Sequence, residues 1–243
     1  MKARVPRELR RRDVLKAAGA VIALGPLLAR TGAAADTRIQ IGVIGSGHVG
    51  SAIGRVWATA GHPVMFASRN LDNDKQLAAG IGANARAGTP AEAAAFGEVL
   101  LFAVPYGALP DLGKALGTAI KGKVVIDACN PFPNRDGEIA NQARDRGVGK
   151  VSAELLPGAR IVRAFNSIGA SDMGAAHEHP GQVGMPIAGD DKQAIEIASR
   201  LIREIGYEPV LVGGLDKAKY LMPGTPLAGE HSPEEVRKIA ATL

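Results

Sequence analysis

Two short stretches of this 243-residue chain carry residue types that can hold phosphate. Gly45-Ser46-Gly47-His48-Val49-Gly50 reads G-x-G-x-x-G, the spacing that lets a backbone turn tightly, approach a pyrophosphate and enter a closely packed helix. A helix that starts there points its free N–H groups at the anion. The second stretch is Ser68-Arg69-Asn70. Proteins that bind NAD usually place Asp or Glu at this point for the ribose 2′-hydroxyl. A hydroxyl and a guanidinium instead suit a 2′-phosphate, which a carboxylate would repel, so the pair points to NADP. The alternatives are a structural glycine loop in an unrelated strand–helix–strand unit and an ordinary solvated Arg69.

Such chemistry needs strands to aim the loops. Ile39 to Ile44 is a short branched apolar run directly before the glycine loop, and Val64 to Ala67 is a second before Ser68. Further runs cover Val99–Val104, Lys123–Ala128, Ala159–Phe165, Val183–Ala188 and Pro209–Val212. Helical patterns fill the intervals. Val49, Ile53, Trp57 and Ala60 share one face of the first helix, and Ala194, Ile197, Ala198, Leu201 and Ile205 form another apolar face, capped by Asp190 or Asp191 and ended at Gly206. Thr89-Pro90-Ala91-Glu92 and Ser232-Pro233-Glu234-Glu235 read as helix starts. The alternation predicts an α/β fold: a Rossmann, doubly wound, mostly parallel sheet with a small C-terminal α/β extension. The expected organisation is a leader over 1–35, an NADP-binding Rossmann domain over 36–170 and a small C-terminal region over 171–243.

The leader explains the charge. The chain carries 29 Lys and Arg against 24 Asp and Glu, a net +5. Residues 1–35 alone hold eight of those cations against two acids, so the remaining 208 residues stand at −1. Nucleic acid is therefore not an expected partner. A basic stretch, the apolar run Ala17 to Leu28 and Ala33-Ala34-Ala35 have the order of an export signal. Arg11-Arg12-Asp13-Val14-Leu15-Lys16 resembles the twin-arginine type, which predicts an exported, periplasmic or extracellular protein folded first in the cytoplasm. An uncleaved amphipathic anchor is the other reading. The apolar run is too short for a transmembrane helix. Cys129 stands alone, so an intrachain disulfide is excluded.

The order of several motifs resembles one family. Ile44-Gly45-Ser46-Gly47, Gly61-His62, Ser68-Arg69-Asn70, Ala103-Val104-Pro105, Asp127 to Pro131, Ala164-Phe165-Asn166-Ser167, Gly189-Asp190-Asp191 and Gly214 to Leu221 are similar to the NADP oxidoreductases that use the deazaflavin coenzyme F420. The NADPH-binding domain of the six-transmembrane metalloreductases, whose reductant passes to a flavin, resembles the chain in the same way. The resemblance runs from Ile39 to about Pro223. It implies that Gly45, Ser46, Gly47, His48, Val49 and Gly50 form the pyrophosphate loop and that Ser68 with Arg69 takes the 2′-phosphate. Val104 and Pro105 would wall the cofactor, and Asn166 would lie near the nicotinamide. The cofactors implied are NADP with coenzyme F420 or a flavin (FMN or FAD) as second substrate. The partner is then a small redox molecule, and a homodimer is an admissible assembly. His48 within the loop and the tail Gly224 to Leu243 depart from the family pattern.

The remaining reactive residues form no recognisable catalytic set. His177-Glu178-His179 offers two metal ligands without a third at a familiar spacing, or lies in a loop near the substrate opening. His62 before Pro63 reads as helix-end chemistry, and Cys129 as a small packed residue rather than a nucleophile. Tyr106 and Phe132 either flank a planar ring or pack. This scarcity of acid–base groups fits ring-to-ring hydride transfer, in which the cofactors carry the chemistry, better than carbonyl reduction. Two other readings stand beside it. One is a protein that binds NADP without turnover. The other is an imine reductase like pyrroline-5-carboxylate reductase, although the residues after Ser171 are few for such an enzyme's helical dimerisation domain.

Overall fold

A computed structural model describes residues 38–173 and 176–243. The leader expected over 1–35 lies outside the described residues. Strands β1 (Ile41–Ile44), β2 (Val64–Ala67), β3 (Ala85–Ala87), β4 (Val99–Phe102), β5 (Val124–Asp127), β6 (Arg160–Arg163), β7 (Val183–Gly189) and β8 (Tyr207–Gly213) form one sheet in the order β3-β2-β1-β4-β5-β6-β7-β8. The first six strands are parallel, and β7 enters antiparallel to β6 with β8 parallel to β7. This is the α/β, doubly wound Rossmann arrangement with a C-terminal extension. Strand β3 was not legible in the sequence; Ala-Arg-Ala carries no apolar run, and only pairing with β2 makes it a strand.

Helices α1 (His48–Thr59), α2 (Leu71–Ile81), α3 (Pro90–Phe96), α4 (Leu109–Leu116), α5 (Pro133–Asp136), α6 (Glu138–Arg146), α7 (Val148–Leu155), α8 (Lys192–Glu204) and α9 (Pro233–Ala240) cover the sheet. Both predicted helix starts are present, and each is a capping box, Thr89 with Glu92 on α3 and Ser232 with Glu235 on α9. Asp191, not Asp190, caps α8, accepting from the Ala194 N–H at 2.9 Å, and it also receives the Arg160 guanidinium at 2.7 Å. That pairing holds its carboxyl well below the usual carboxylate range.

Two apolar cores lie on the two faces of the sheet. On one, Trp57 of α1 is fully buried and its indole N–H donates to the Leu201 carbonyl of α8 at 2.8 Å. The buried face of α1 is Gly50, Ile53, Gly54, Trp57 and Ala58. Ala60, expected inward, is exposed because the helix ends one residue before it, and Val49 is half-buried. On α8, Ile202 is buried and Ile197 only partly so, a rotation of the expected stripe. On the other face α3 crosses β1 so closely that a Cβ at Gly42 would lie 2.2 Å from the Ala93 carbonyl oxygen.

His62 closes the end of α1, as expected: its N–H donates to the Trp57 carbonyl at 3.0 Å, just past Gly61 at φ 104°. It is buried, accepts the Ile39 N–H on Nδ1 at 2.8 Å and meets Glu204 of α8 through Nε2 at 2.5 Å. No helix among the described residues is long and apolar enough to cross a membrane.

Candidate functional site

Register sets where the chemistry gathers. Ile44 pairs with Ala67 and Phe102, Phe102 with Asp127, and Asp127 with Arg163, so the five parallel strand ends lie along one edge. Strand β1 connects to β2 on one side while β4 lies on the other, the reversal that opens a crevice at the carboxyl ends of such sheets.

The glycine loop leaves β1 at this crevice, and each glycine has a distinct reason. Gly45 sits at φ 101°, a backbone that favours glycine, and a Cβ there would lie 2.4 Å from the Ala103 carbonyl oxygen of the neighbouring strand end. A Cβ at Gly50 would lie 1.9 Å from the Gly45 carbonyl oxygen, so this glycine lets α1 close onto the turn. A Cβ at Gly47 would project into open space. Gly47 is the N-cap of α1, which has no side-chain cap and no acid in its first turn, unlike α2, α3, α8 and α9, whose N-caps accept from a backbone N–H. No side chain of α1 or its N-cap therefore takes up its N-terminal N–H groups and positive dipole end. His48 is exposed there and Val49 half-buried.

At the end of β2, Arg69 is exposed and makes no hydrogen bond or ion pair with any described residue. Its neighbour Ser68 is engaged. The Ser68 N–H and Oγ donate to the Asp74 carboxylate at 2.7 and 2.8 Å, and Ser46 Oγ of the glycine loop donates to the same carboxylate. Asp74, in the first turn of α2, is 1% exposed. It joins the two phosphate-type stretches of the sequence, a connection that sequence reading missed. Lys75 pairs with Asp72 on the helix surface.

Val104, half-buried, and Pro105, exposed, follow β4. Tyr106 does not flank the crevice. It is fully buried, its hydroxyl reaches Ser152 Oγ at 3.2 Å, and burial pushes its acidity down and its pKa up. Phe132 is 40% exposed and stacks on Arg135. Cys129 is buried and donates to the Phe102 carbonyl, and burial pushes its thiol pKa well up. Native protein should therefore resist thiol reagents until unfolded; rapid labelling of the folded protein would contradict this packing.

Below the edge, Arg163 Nη1 meets Asp127 at 2.6 Å with both side chains fully buried, and Nη2 donates to the Cys129 carbonyl at 2.9 Å. This pair also escaped sequence reading. A charge in each of two otherwise apolar runs was its one signal. Above it, Asn166 Nδ2 donates to the Asp127 carbonyl at 3.2 Å, and Asn130 Nδ2 donates to the Asn166 carbonyl at 2.7 Å. Asn166 Oδ1 and Ser167 Oγ are buried without a partner. The chain reaches this position through Phe165, a non-glycine residue at φ 65°, held between the rings of Trp57 and Tyr207. Such a conformation costs about 1–3 kcal/mol and persists only under packing of this kind. The tail closes on the same place: the Gly229 N–H donates to the Ser167 carbonyl at 2.8 Å, and α9 lies on β7 and β8.

A shallow groove of about 450 Å³, lined by Lys150, Glu154, Asp190 and Asp216 among others, is not part of this site. It lies where β7 ends, and β7 runs against β6, so it faces the opposite edge.

Comparison with known proteins decides the relationship. An F420-dependent NADP reductase of Methanothermobacter marburgensis is 32% identical over 205 residues, covering 78% of this chain and 90% of that protein. The chain belongs to the F420-dependent NADP oxidoreductase family. The family described as NADP oxidoreductase, coenzyme F420-dependent, matches residues 40–131. The corresponding reductase of Methanothermobacter thermautotrophicus is 29% identical, over 78% of this chain and 87% of that protein. Among solved structures, a hypothetical protein of Sinorhizobium meliloti superposes with a TM-score of 0.68 at 26% identity, covering 79% of this chain and 93% of its own. The family-matched stretch 40–131 thus contains the glycine loop, Arg69, Asp74 and the β4 end.

Proposed function

We propose that the protein binds NADP(H) along the carboxyl edge of β1, β2, β4, β5 and β6 and passes hydride between it and a deazaflavin, coenzyme F420, or a flavin. The observation that carries this reading is the pairing of an open glycine loop without a side-chain cap with the Arg69 guanidinium at the next strand end, which has no partner among the described residues. The first suits a pyrophosphate, and the second suits the extra phosphate of NADP. Two findings support the fit: Gly47 leaves the space a pyrophosphate would take, and Asn166 keeps a buried acceptor free at the far end of the edge. The relatives named as F420-dependent NADP reductases support the choice of second substrate.

NADP(H), when bound, supplies or receives the hydride at its nicotinamide ring. The chain's own residues bind and orient. The N–H groups at the start of α1 hold the pyrophosphate, Arg69 the 2′-phosphate, and Val104 with Pro105 forms an apolar wall against the cofactor. Asn166, fixed by Asn130 and the Asp127 carbonyl, offers Oδ1 to a carboxamide N–H. Asp127 is committed to Arg163, so the groups nearest this end are neutral amides and a hydroxyl. Their task is to hold two rings in register, which can supply much of the rate.

Mixing the purified protein with NADPH and F420, FMN or FAD, and following NADPH absorbance, tests the reading. Turnover with at least one acceptor is expected, and none with all three would overturn it. Arg69→Ala should weaken NADPH binding about tenfold or more, with much less effect on NADH, since a charge-assisted hydrogen bond contributes about 1.5–3 kcal/mol. Equal losses for both nucleotides would remove the 2′-phosphate assignment. We propose as well that residues 1–35 direct export by the twin-arginine route. Replacing Arg11 and Arg12 with lysine should then retain the protein in the cytoplasmic fraction, and unchanged fractionation would exclude that route.

A further inference from the structure

The Asp74 carboxylate lies where the glycine loop meets the end of β2, the region that receives the adenosine ribose in a dinucleotide-binding sheet. It takes three donors: the Ser68 N–H at 2.7 Å, Ser68 Oγ at 2.8 Å and Ser46 Oγ. Both serine protons are thus spent inward. Ser68 Oγ also accepts the Asn70 N–H at 3.1 Å, so what it can still offer an approaching ligand is a lone pair. A phosphate has acceptors only and gains nothing from a lone pair. A ribose 2′-hydroxyl has a proton to give and does gain. One residue further on, Arg69 offers the reverse, five donors and no acceptor.

We propose that Asp74 sets the selectivity between NADPH and NADH, opposing Arg69: it turns Ser68 into an acceptor for a free 2′-hydroxyl and leaves Arg69 as the single group that attracts a 2′-phosphate. This rests on the reading that the crevice binds NADP(H). The carboxylate is shielded from water, so its repulsion of a phosphate dianion is weakly screened. The acid that NAD-binding sheets carry at the strand end is here drawn back onto the first turn of α2, beneath the serines. The site then tolerates both nucleotides and prefers NADPH only as far as Arg69 outweighs Asp74.

Dissociation constants for NADPH and NADH, measured by titration on the wild type and three variants, test this. In Asp74→Asn the side-chain oxygen that stays on the Ser68 side still accepts the Ser68 N–H and Oγ, while the NH2 replaces the other oxygen, donates to Ser46 Oγ and frees that proton, and the buried negative charge is gone. The NADPH-over-NADH preference should rise about tenfold, with NADPH itself binding more tightly. Arg69→Ala should move the ratio in the opposite direction. Ser68→Ala should weaken NADH severalfold and leave NADPH nearly unchanged. This second variant serves even if Asp74→Asn does not fold, because Ser68 is partly exposed and its backbone bond to Asp74 remains. Parallel losses of both nucleotides in Asp74→Asn would show a structural role alone and overturn the proposal. So would a Ser68→Ala that weakens NADPH more than NADH, since Ser68 would then be a phosphate donor. A wild-type protein that binds neither nucleotide would overturn the NADP reading itself, a different failure from either of these.

Discussion

Gly50→Ala is expected to cost about 100-fold in NADPH affinity and to lower the melting temperature by several degrees. Inside a helix the same change usually stabilises by about 1 kcal/mol. Here the new Cβ would lie 1.9 Å from the Gly45 carbonyl oxygen, a backbone atom that cannot swing aside. Overpacking of this sort costs about 1–3 kcal/mol, so the clash outweighs the helix term. Relief requires α1 to move away from the turn by more than 1 Å, taking its N–H groups out of reach of the pyrophosphate. Gly47→Ala separates the two effects. Its Cβ meets nothing in the protein and its backbone, at φ −67°, suits any residue, so the melting temperature should hold within a degree or two. NADPH binding should nevertheless fall tenfold or more, because the methyl group enters the pyrophosphate's space. Calorimetric melting with nucleotide titration reads both variants. A stable Gly47→Ala that binds NADPH normally would mean that the loop does not hold the pyrophosphate.

Asp127→Ala is expected to destabilise the protein by about 3–5 kcal/mol, lowering the melting temperature on the order of 10 °C. The cost comes less from the lost attraction than from what remains. Arg163 would keep a fully buried guanidinium whose other partners are the Cys129 carbonyl and weak contacts to Ser152 at 3.4 Å and Asn130 Oδ1 at 3.5 Å. The Cys129 N–H, which donates to Asp127 at 2.9 Å, would lose its partner too. Replacing both residues, Asp127→Leu with Arg163→Met, should recover much of the loss, because two apolar side chains leave no unpaired charge. Urea unfolding of the single and double variants checks this, and a double variant no better than Asp127→Ala would mean that shape, not charge, dominates. Asn166 hangs from the same strand ends, so Asp127→Ala should also raise KM for NADPH.

How much of this was legible differs from place to place. Val64–Ala67 reads as a strand and is one, to the residue, because a short apolar run between Pro63 and a polar turn leaves too few residues for a helix. The helix starts at Thr89 and Ser232 were readable because a cap is a contact across three residues. Ala85–Ala87 was not, since an edge strand of three small or charged residues owes its form to a partner. Phe165 reads as the end of a strand, yet it turns into the left-handed region under the rings of Trp57 and Tyr207, which come from distant segments. The tail Gly224 to Leu243 had no pattern to place it, and its contact with Ser167 is a single backbone bond across 62 positions of chain.

The sequence by itself determined the fold class, the glycine loop and the guanidinium at the next strand end. Each of those depends on contiguous residues: three glycines within six positions, a run before them, and the four residues at which β2 stops. Only the tertiary structure decided what the two serines are doing. Ser46 and Ser68 looked alike as phosphate donors, and their protons go instead to Asp74, 28 residues from one and six from the other. A hydroxyl can donate to one acceptor at a time, and which acceptor it meets is set by how α2 packs against the strand ends.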